Sequence, residues 1–316
     1  MEARNREARN REARNREARN REARNRRHAL RWTATETAAA TEDLQWILRR
    51  QTDLGSSQKY DDDIFRRYPL DPPAFRRHGT IIRVYNMDTL DAAAELRRQA
   101  MADPRWRRTR RPAVLNFANA EKPGGGWRNG AVAQEEAMCY RSTLAYSLHR
   151  RQYPLDSLEG IYSSCVAVLR DSMSSGHAWI TNVRSLSPAT VRQRLPWYSA
   201  LTVAAIHKPL TRYERIGWWR RQTRVFAYNA DRQLTKDKMR LALHMAAVYG
   251  HDMLVLGAFG CGVYENPPWD VAQCWLEVLR EREYAHRWRC VWFAVYDPQG
   301  QGNFRIFKDV LDGRTV

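Results

Sequence analysis

Six short apolar runs alternate along this chain with stretches of helical periodicity, and that alternation restricts the fold more than any other feature. The runs are "TIIRVYN" (80–86), "AVLNFAN" (113–119), "CVAVLR" (165–170), "ALTVAAI" (200–206), "DMLVLGAF" (252–259) and "CVWFAVY" (290–296). They are of strand length and mostly lack apolar–polar alternation, so each is expected to be buried on both faces. Segments 41–50, 88–99, Glu135–Leu148, 236–250 and 268–282 repeat apolar residues every three or four positions, the spacing of a helix with one packed side. Strands covered on both faces need helices above and below the sheet. The expected fold class is therefore α/β, a three-layer α/β/α sandwich.

The first residues cannot join that core. Residues 2–26 are five tandem copies of "EARNR" followed by Arg27. A five-residue period precesses around a helix and builds no apolar stripe. Glu and Arg do fall at i and i+4, which supports a solvated helix by a few tenths of a kcal/mol, about 0.3 per pair. Residues 1–32 are accordingly read as a low-complexity basic tail, disordered or a solvated helix, and 33–316 as the folded domain with N-terminal accessory helices. Residues 1–27 hold 5 Glu and 11 Arg, a third of the formal charge of +18.

That charge admits a polyanionic partner, whether nucleic acid, an acidic membrane surface or a phosphate-rich polymer. An Arg-rich composition with no dedicated partner is the bland alternative. "RWRRTRR" (105–111) and segment 211–224, with Trp218 and Trp219, read as exposed basic connections, although aromatic-basic mixtures also stack bases. The five cysteines (139, 165, 261, 274 and 290) show no CxxC spacing, so neither a disulfide framework nor a zinc cluster is expected. No apolar run approaches the ~20 residues of a membrane span. An intracellular protein, cytoplasmic or nuclear, with no membrane association is the expectation. His177, His244 and His251 lack metal-ligand spacing, and "YDDD" (60–63) reads as a solvated loop, so no metal is expected.

The chemistry concentrates in "GGGWRNGAVAQEEAMCYRSTL" (124–144), between a predicted strand and a predicted helix. Three consecutive glycines add no packing and raise the entropic cost of folding. What they allow is close approach of backbone amides to a ligand, as in a phosphate or ribose cradle before a helix. Gln134, Glu135 and Glu136 then fall in the first helical turn. Adjacent helical residues point about 100° apart, so these carboxyls cannot flank one bond as a paired glycosidase dyad does. One can protonate a leaving oxygen while the other orients a sugar hydroxyl. Their mutual repulsion raises a carboxyl pKa, whereas the helix N-terminus lowers it. Acidic residues in a first turn also serve simply as caps. A second glycine turn, "GAFGCGVYENPP" (257–268), again follows a strand and precedes a helix. There Gly260 and Gly262 would present amides to phosphate, and Tyr264 would lie against a ribose or base or close the core edge.

Together these residues resemble the microbial-type poly(ADP-ribose) glycohydrolases, a family with a macrodomain-like fold and mixed sheet. The family's signature is a triple glycine, a short spacer and Gln-Glu-Glu, here Gly124-Gly125-Gly126, seven residues, then Gln134-Glu135-Glu136. "VLNFANAEKP", "IYSSCVAVLRD" (161–171), "SALTVAAIHKP" (199–209) and "LVLGAFGCGVYENPP" (254–268) resemble further family blocks in the same order, so the likeness covers roughly residues 33–312. The resemblance implies hydrolysis of the ribose–ribose O-glycosidic bond of poly(ADP-ribose), with no cofactor. It implies Glu136 as general acid and Glu135 as the partner that holds ribose hydroxyls. Asn119 would lie beside the terminal ribose, Gly124, Gly125, Gly126 and Gln134 in the catalytic loop, and Gly260, Cys261, Gly262 and Val263 in the diphosphate loop. Tyr264 stands where the family usually has phenylalanine, and "AVLRD" (167–171) where it often has a proline and an aromatic. Implied partners are poly(ADP-ribose) and ADP-ribosylated proteins, with weak electrostatic nucleic-acid binding through the basic tail as the other class; a monomer is expected. The rival readings are removal of single ADP-ribose units from protein or nucleic acid, and a non-catalytic ADP-ribose reader.

Overall fold

The computed structural model describes residues 2–71, 79–103, 111–216 and 221–316. Residues 105–110 and Trp218 and Trp219 of the two basic connections fall outside the described residues.

Nine strands are described: β1 (Ser57–Tyr60), β2 (Ile82–Tyr85), β3 (Ala113–Phe117), β4 (Gly160–Ala167), β5 (Trp197–Val203), β6 (Thr211–Ile216), β7 (Arg221–Phe226), β8 (Met253–Leu256) and β9 (Cys290–Ala294). Seven form one sheet in the order β1-β4-β5-β3-β8-β9-β2, and β6 and β7 pair as a separate antiparallel ribbon. Strands β5, β3, β8, β9 and β2 run parallel, while β4 and β1 are antiparallel to their neighbours. All seven residues of β5 and all four of β8 are buried, as unalternating apolar runs require.

The helices are α1 (Glu2–Leu48), α2 (Ile64–Arg67), α3 (Thr89–Ala102), α4 (Gln134–Arg141), α5 (Leu144–Ser147), α6 (Pro188–Arg194), α7 (Asn229–Val248), α8 (Pro268–Leu279) and α9 (Asn303–Leu311). One sheet face packs on α7, α8 and α9 through Met239, Leu243, Trp275, Leu279 and Phe307. The opposite face packs on α1, α3 and α4 through Leu30, Ala34, Leu90, Leu96 and Met138. Each such large apolar side chain, taken wholly out of water, contributes on the order of 1.5–3 kcal/mol. The result is the α/β/α layering expected from the sequence, with α1 as its N-terminal helical extension. That helix is continuous from the repeats into the core, and Leu30 is its first buried residue among those described.

Three local differences have identifiable causes. The segment Glu135–Leu148 is two helices, because Ser142 is extended and bridges Val168 while the Thr143 amide bonds the Ala167 carbonyl at 3.0 Å. Strand β4 starts at Gly160, ahead of the apolar run: Ser163 still pairs with Ala200 of β5, and the ladder shifts register between Ser163 and Val166. The ribbon β6–β7 escapes a hydrophobic scan because β6 is largely exposed.

Candidate active site

Strands β3 and β8 are adjacent and parallel, so the turns that follow them emerge at the same sheet edge. In parallel sheets that carboxyl edge is where ligands bind. The triple glycine and the second glycine turn are these two turns. They touch: the Phe117 and Phe259 rings are 5.9 Å apart, and a Cβ on Gly257 would meet Phe117 Cζ at 2.8 Å.

Gln134 fixes the start of α4 to the end of β3. Its Oε1 accepts the Phe117 amide at 2.9 Å and its Nε2 donates to the Leu115 carbonyl at 2.8 Å, imitating a neighbouring strand. The resemblance places Gln134 in the catalytic loop; in the structure its carboxamide joins α4 to β3. At the other end of α4, buried Arg141 pairs with Asp88 and Asp91 and ties α4 to α3. Pairing of this kind is what permits a buried guanidinium.

The two carboxyls consequently face different surroundings. Glu135 is 2% exposed and points inward: Oε1 accepts from Asn116 Nδ2 at 3.1 Å and Oε2 from the Asn119 amide at 2.8 Å. Burial pushes its carboxyl up to about 8, against the bonds from Asn119, Asn116 and Gly124, while the charge of Glu136 adds to the rise. Desolvation thus outweighs the helix N-terminus at Glu135. Glu136 is 9% exposed and faces the triple glycine, with Oε1 accepting the Gly126 amide at 2.9 Å.

Gly124 and Gly125 have φ of +69° and +57°, which L side chains rarely adopt. A Cβ on Gly124 would come within 2.8 Å of Trp127, and one on Gly126 within 2.8 Å of Ala131. Asn119 shapes the turn, its Oδ1 accepting the amides of Glu121 and Lys122 at 2.9 and 3.0 Å.

In the second turn Gly260 has φ +72°, and a Cβ there would meet Asn266 Nδ2 at 2.5 Å and Ala205 at 2.6 Å. Asn266 Nδ2 donates to the carbonyls of Ile206, Gly260 and Tyr264, closing the loop. Cys261 is buried, whereas Gly262 is exposed, has open space at its Cα and leaves its backbone approachable. Val263 is 65% exposed. Tyr264 is half-buried, its ring edge-on to His207 at 4.9 Å. Burial, then the charge of Glu135, pushes its phenol above the ordinary tyrosine range, while a hydrogen bond with the Ala120 backbone opposes the rise. Tyr264 therefore bridges the two turns close to both glutamates.

Asn116, Thr202 and Asn266 were not singled out in the sequence. Asn116 is fully buried and also donates to Thr202 Oγ1 at 3.3 Å, so it links Glu135 to β5. The signal was present, since a polar residue in the middle of "AVLNFAN" has to be paired when buried.

Both the sequence and the fold resemble known proteins. Residues 34–171 match the family model described as microbial-type PARG, catalytic domain. The matched residues include the triple glycine and Gln134-Glu135-Glu136, on which the resemblance read from the sequence rests. The poly(ADP-ribose) glycohydrolase (PARG) of Thermomonospora curvata is 27% identical, with a TM-score of 0.66 over 90% of this chain and 99% of its own. The same enzyme bound to the inhibitor ADP-HPD is 27% identical with a TM-score of 0.63, over 90% and 99% of the two chains. PARG of Deinococcus radiodurans in complex with ADP-ribose, 24% identical over 82% of this chain and 95% of its own, shares the fold with a TM-score of 0.59. No curated protein sequence is significantly similar to the chain. The matched residues span the triple glycine and α4, and the structural likeness covers 90% of the chain. Among the described residues, no helix is long and apolar enough to cross a membrane, and no three His, Cys, Asp or Glu side chains stand together as metal ligands.

Proposed function

We propose that this chain is a glycosidase that hydrolyses the ribose–ribose O-glycosidic bond of poly(ADP-ribose) and releases ADP-ribose, with Glu136 as the general acid. The observation that carries the reading is the Glu136 carboxyl, held against the Gly126 amide and close to Tyr264 of the second glycine turn. Oε1 is the acceptor in that bond, which leaves Oε2 to bear the proton. Transfer of that proton to the bridging oxygen breaks the bond to the anomeric carbon as an oxocarbenium ion develops. Water adds to that carbon and returns its proton to Glu136. Amides of Gly124–Gly126 and of Gly260–Val263 would hold ribose and pyrophosphate, with Tyr264 against the sugar. Glu135 keeps one acceptor site of each oxygen for Asn116 and Asn119, so only its remaining lone pairs are available to a ribose hydroxyl. Support comes from the family match and from the inhibitor complex of the similar Thermomonospora curvata enzyme.

Incubation with an auto-modified poly(ADP-ribosyl)ated protein tests this directly. Free ADP-ribose should appear while the carrier keeps its first unit. Complete removal of the last unit would point to a mono-ADP-ribosyl hydrolase, and binding without release would leave only a reader.

A further inference from the structure

The exposed portion of α1 plays no part in the site described above, yet it is rooted against it. Gly130 closes the short turn Trp127–Asn129 that follows Gly126, and a Cβ there would stand 2.5 Å from Arg27 Cγ and 2.6 Å from the Arg27 carbonyl. The helix thus lies directly on the turn whose first amide holds Glu136. From that root the repeats extend as a rod, since α1 is unbroken from Glu2 and the described residues before Leu30 are exposed. At 1.5 Å per residue the stretch from residue 2 to 29 is about 42 Å long.

Its surface suits one class of partner. Between residues 11 and 27 there are eight arginines and three glutamates. Among the described residues none of these arginines forms an ion pair; the first described side chain to do so is Glu36, with Arg170. Each five-residue repeat turns by about 140° at 100° per residue, which spreads the guanidinium groups around the rod and offers no apolar seam to a protein. Arginine forks bind phosphate in two-pronged fashion. A flexible chain with two phosphates per unit can follow such a rod wherever it turns.

We propose that the exposed stretch of α1 from Arg11 to Ala29 is a rail for the uncleaved part of the poly(ADP-ribose) substrate, keeping the polymer beside the Glu136 turn between cleavages. The inference rests on the proposed function. Holding the polymer on the same molecule raises its effective concentration at the site without touching the chemical step. The rod's foot on the catalytic turn favours the polymer substrate over nucleic acid, which has no reason to be delivered there.

The test uses the full chain with Arg11, Arg14, Arg16, Arg19, Arg21 and Arg24 changed to glutamine, which keeps helix propensity. With long poly(ADP-ribose), KM should rise about tenfold at moderate salt, kcat should hold, and cleavage of a two-unit ADP-ribose dimer should not change. The slope of log(kcat/KM) against log salt should flatten by roughly 0.7 for each phosphate that the variant no longer neutralises. The same six positions as lysine should restore much of the effect. An unchanged KM for long polymer overturns the proposal, as does an equal rise for the dimer. Loss of duplex-DNA retention with polymer kinetics intact overturns it in favour of nucleic acid. If the parent chain cleaves no polymer, the proposed function fails. Filter retention of polymer then still decides the rail, which stands on an approximately tenfold weaker variant and falls on equal retention.

Discussion

A methyl group on Gly125 would stand 2.5 Å from Oε1 of Glu136 and 3.3 Å from Oε2 of Glu135. The glycine is needed twice over, for that approach and for its φ of +57°. Gly125→Ala should therefore displace the carboxyls and lower kcat by about a hundredfold or more, with the left-handed conformation adding roughly 1–2 kcal/mol of strain. Initial rates beside a melting curve check this; a folded variant with parental kcat would detach the turn from the chemistry.

Glu136→Gln preserves shape and the acceptor facing Gly126 but cannot give up a proton. The expected loss is about 10² to 10⁴ in kcat, roughly 3 to 5 kcal/mol, with ADP-ribose binding retained. Calorimetric titration with ADP-ribose separates the two effects. Comparable activity in the glutamine variant would remove the assignment.

Gln134 acts at one remove. Truncation to alanine leaves the Phe117 amide and the Leu115 carbonyl without partners, and a buried unpaired group costs about 1–3 kcal/mol. Gln134→Ala should lower the melting temperature and reduce kcat through misplacement of α4, with KM changing less. A variant with parental stability and a raised KM would instead make this side chain a direct ligand contact.

The sheet was legible because a strand covered on both faces is largely apolar: β8 and β9 are so throughout, and β3 and β5 are broken only by Asn116 and by Ser199 and Thr202. The ribbon β6–β7 was not, since its backbone pairing needs no apolar side chains. Periodicity could not reveal the break at Ser142 either, because a bridge to Val168, distant in sequence, produces it. At the site, the glycines and the carboxyl pair announce themselves by composition. Which carboxyl faces inward does not, for it depends on Asn116 from β3 and on the Asn119 amide. Likewise the role of Gln134 appears only once β3 and α4 are set side by side.

The raised pKa of Glu135 makes stability depend on pH on the alkaline side. The folded state holds its proton more tightly than the unfolded chain, so this contribution is complete below the ordinary value of 4.5. It is lost as pH rises toward and through about 8. The parent melting temperature should decline across that window, and Glu135→Gln should flatten the decline. The variant's overall level should be lower, because its N–H must face the Asn116 or Asn119 donor. A parallel slope in both proteins would place the titration elsewhere.

His177 produces the opposite dependence. It is 7% exposed, and burial, followed by the charges of Arg141 and Arg170, lowers its pKa from 6.5 to about 4. The unfolded chain therefore takes up this proton first, so the contribution is complete above pH 6.5 and disappears as pH falls toward 4. The ring packs against Tyr140, whose hydroxyl donates to the Trp127 and Ala131 carbonyls behind the triple glycine. Protonation should thus loosen the triple-glycine turn as well as the fold. His177→Gln should flatten the loss of melting temperature between pH 6.5 and 4, read by thermal denaturation in matched ionic strength. An unaltered acid slope would show that protonation of another group drives the transition.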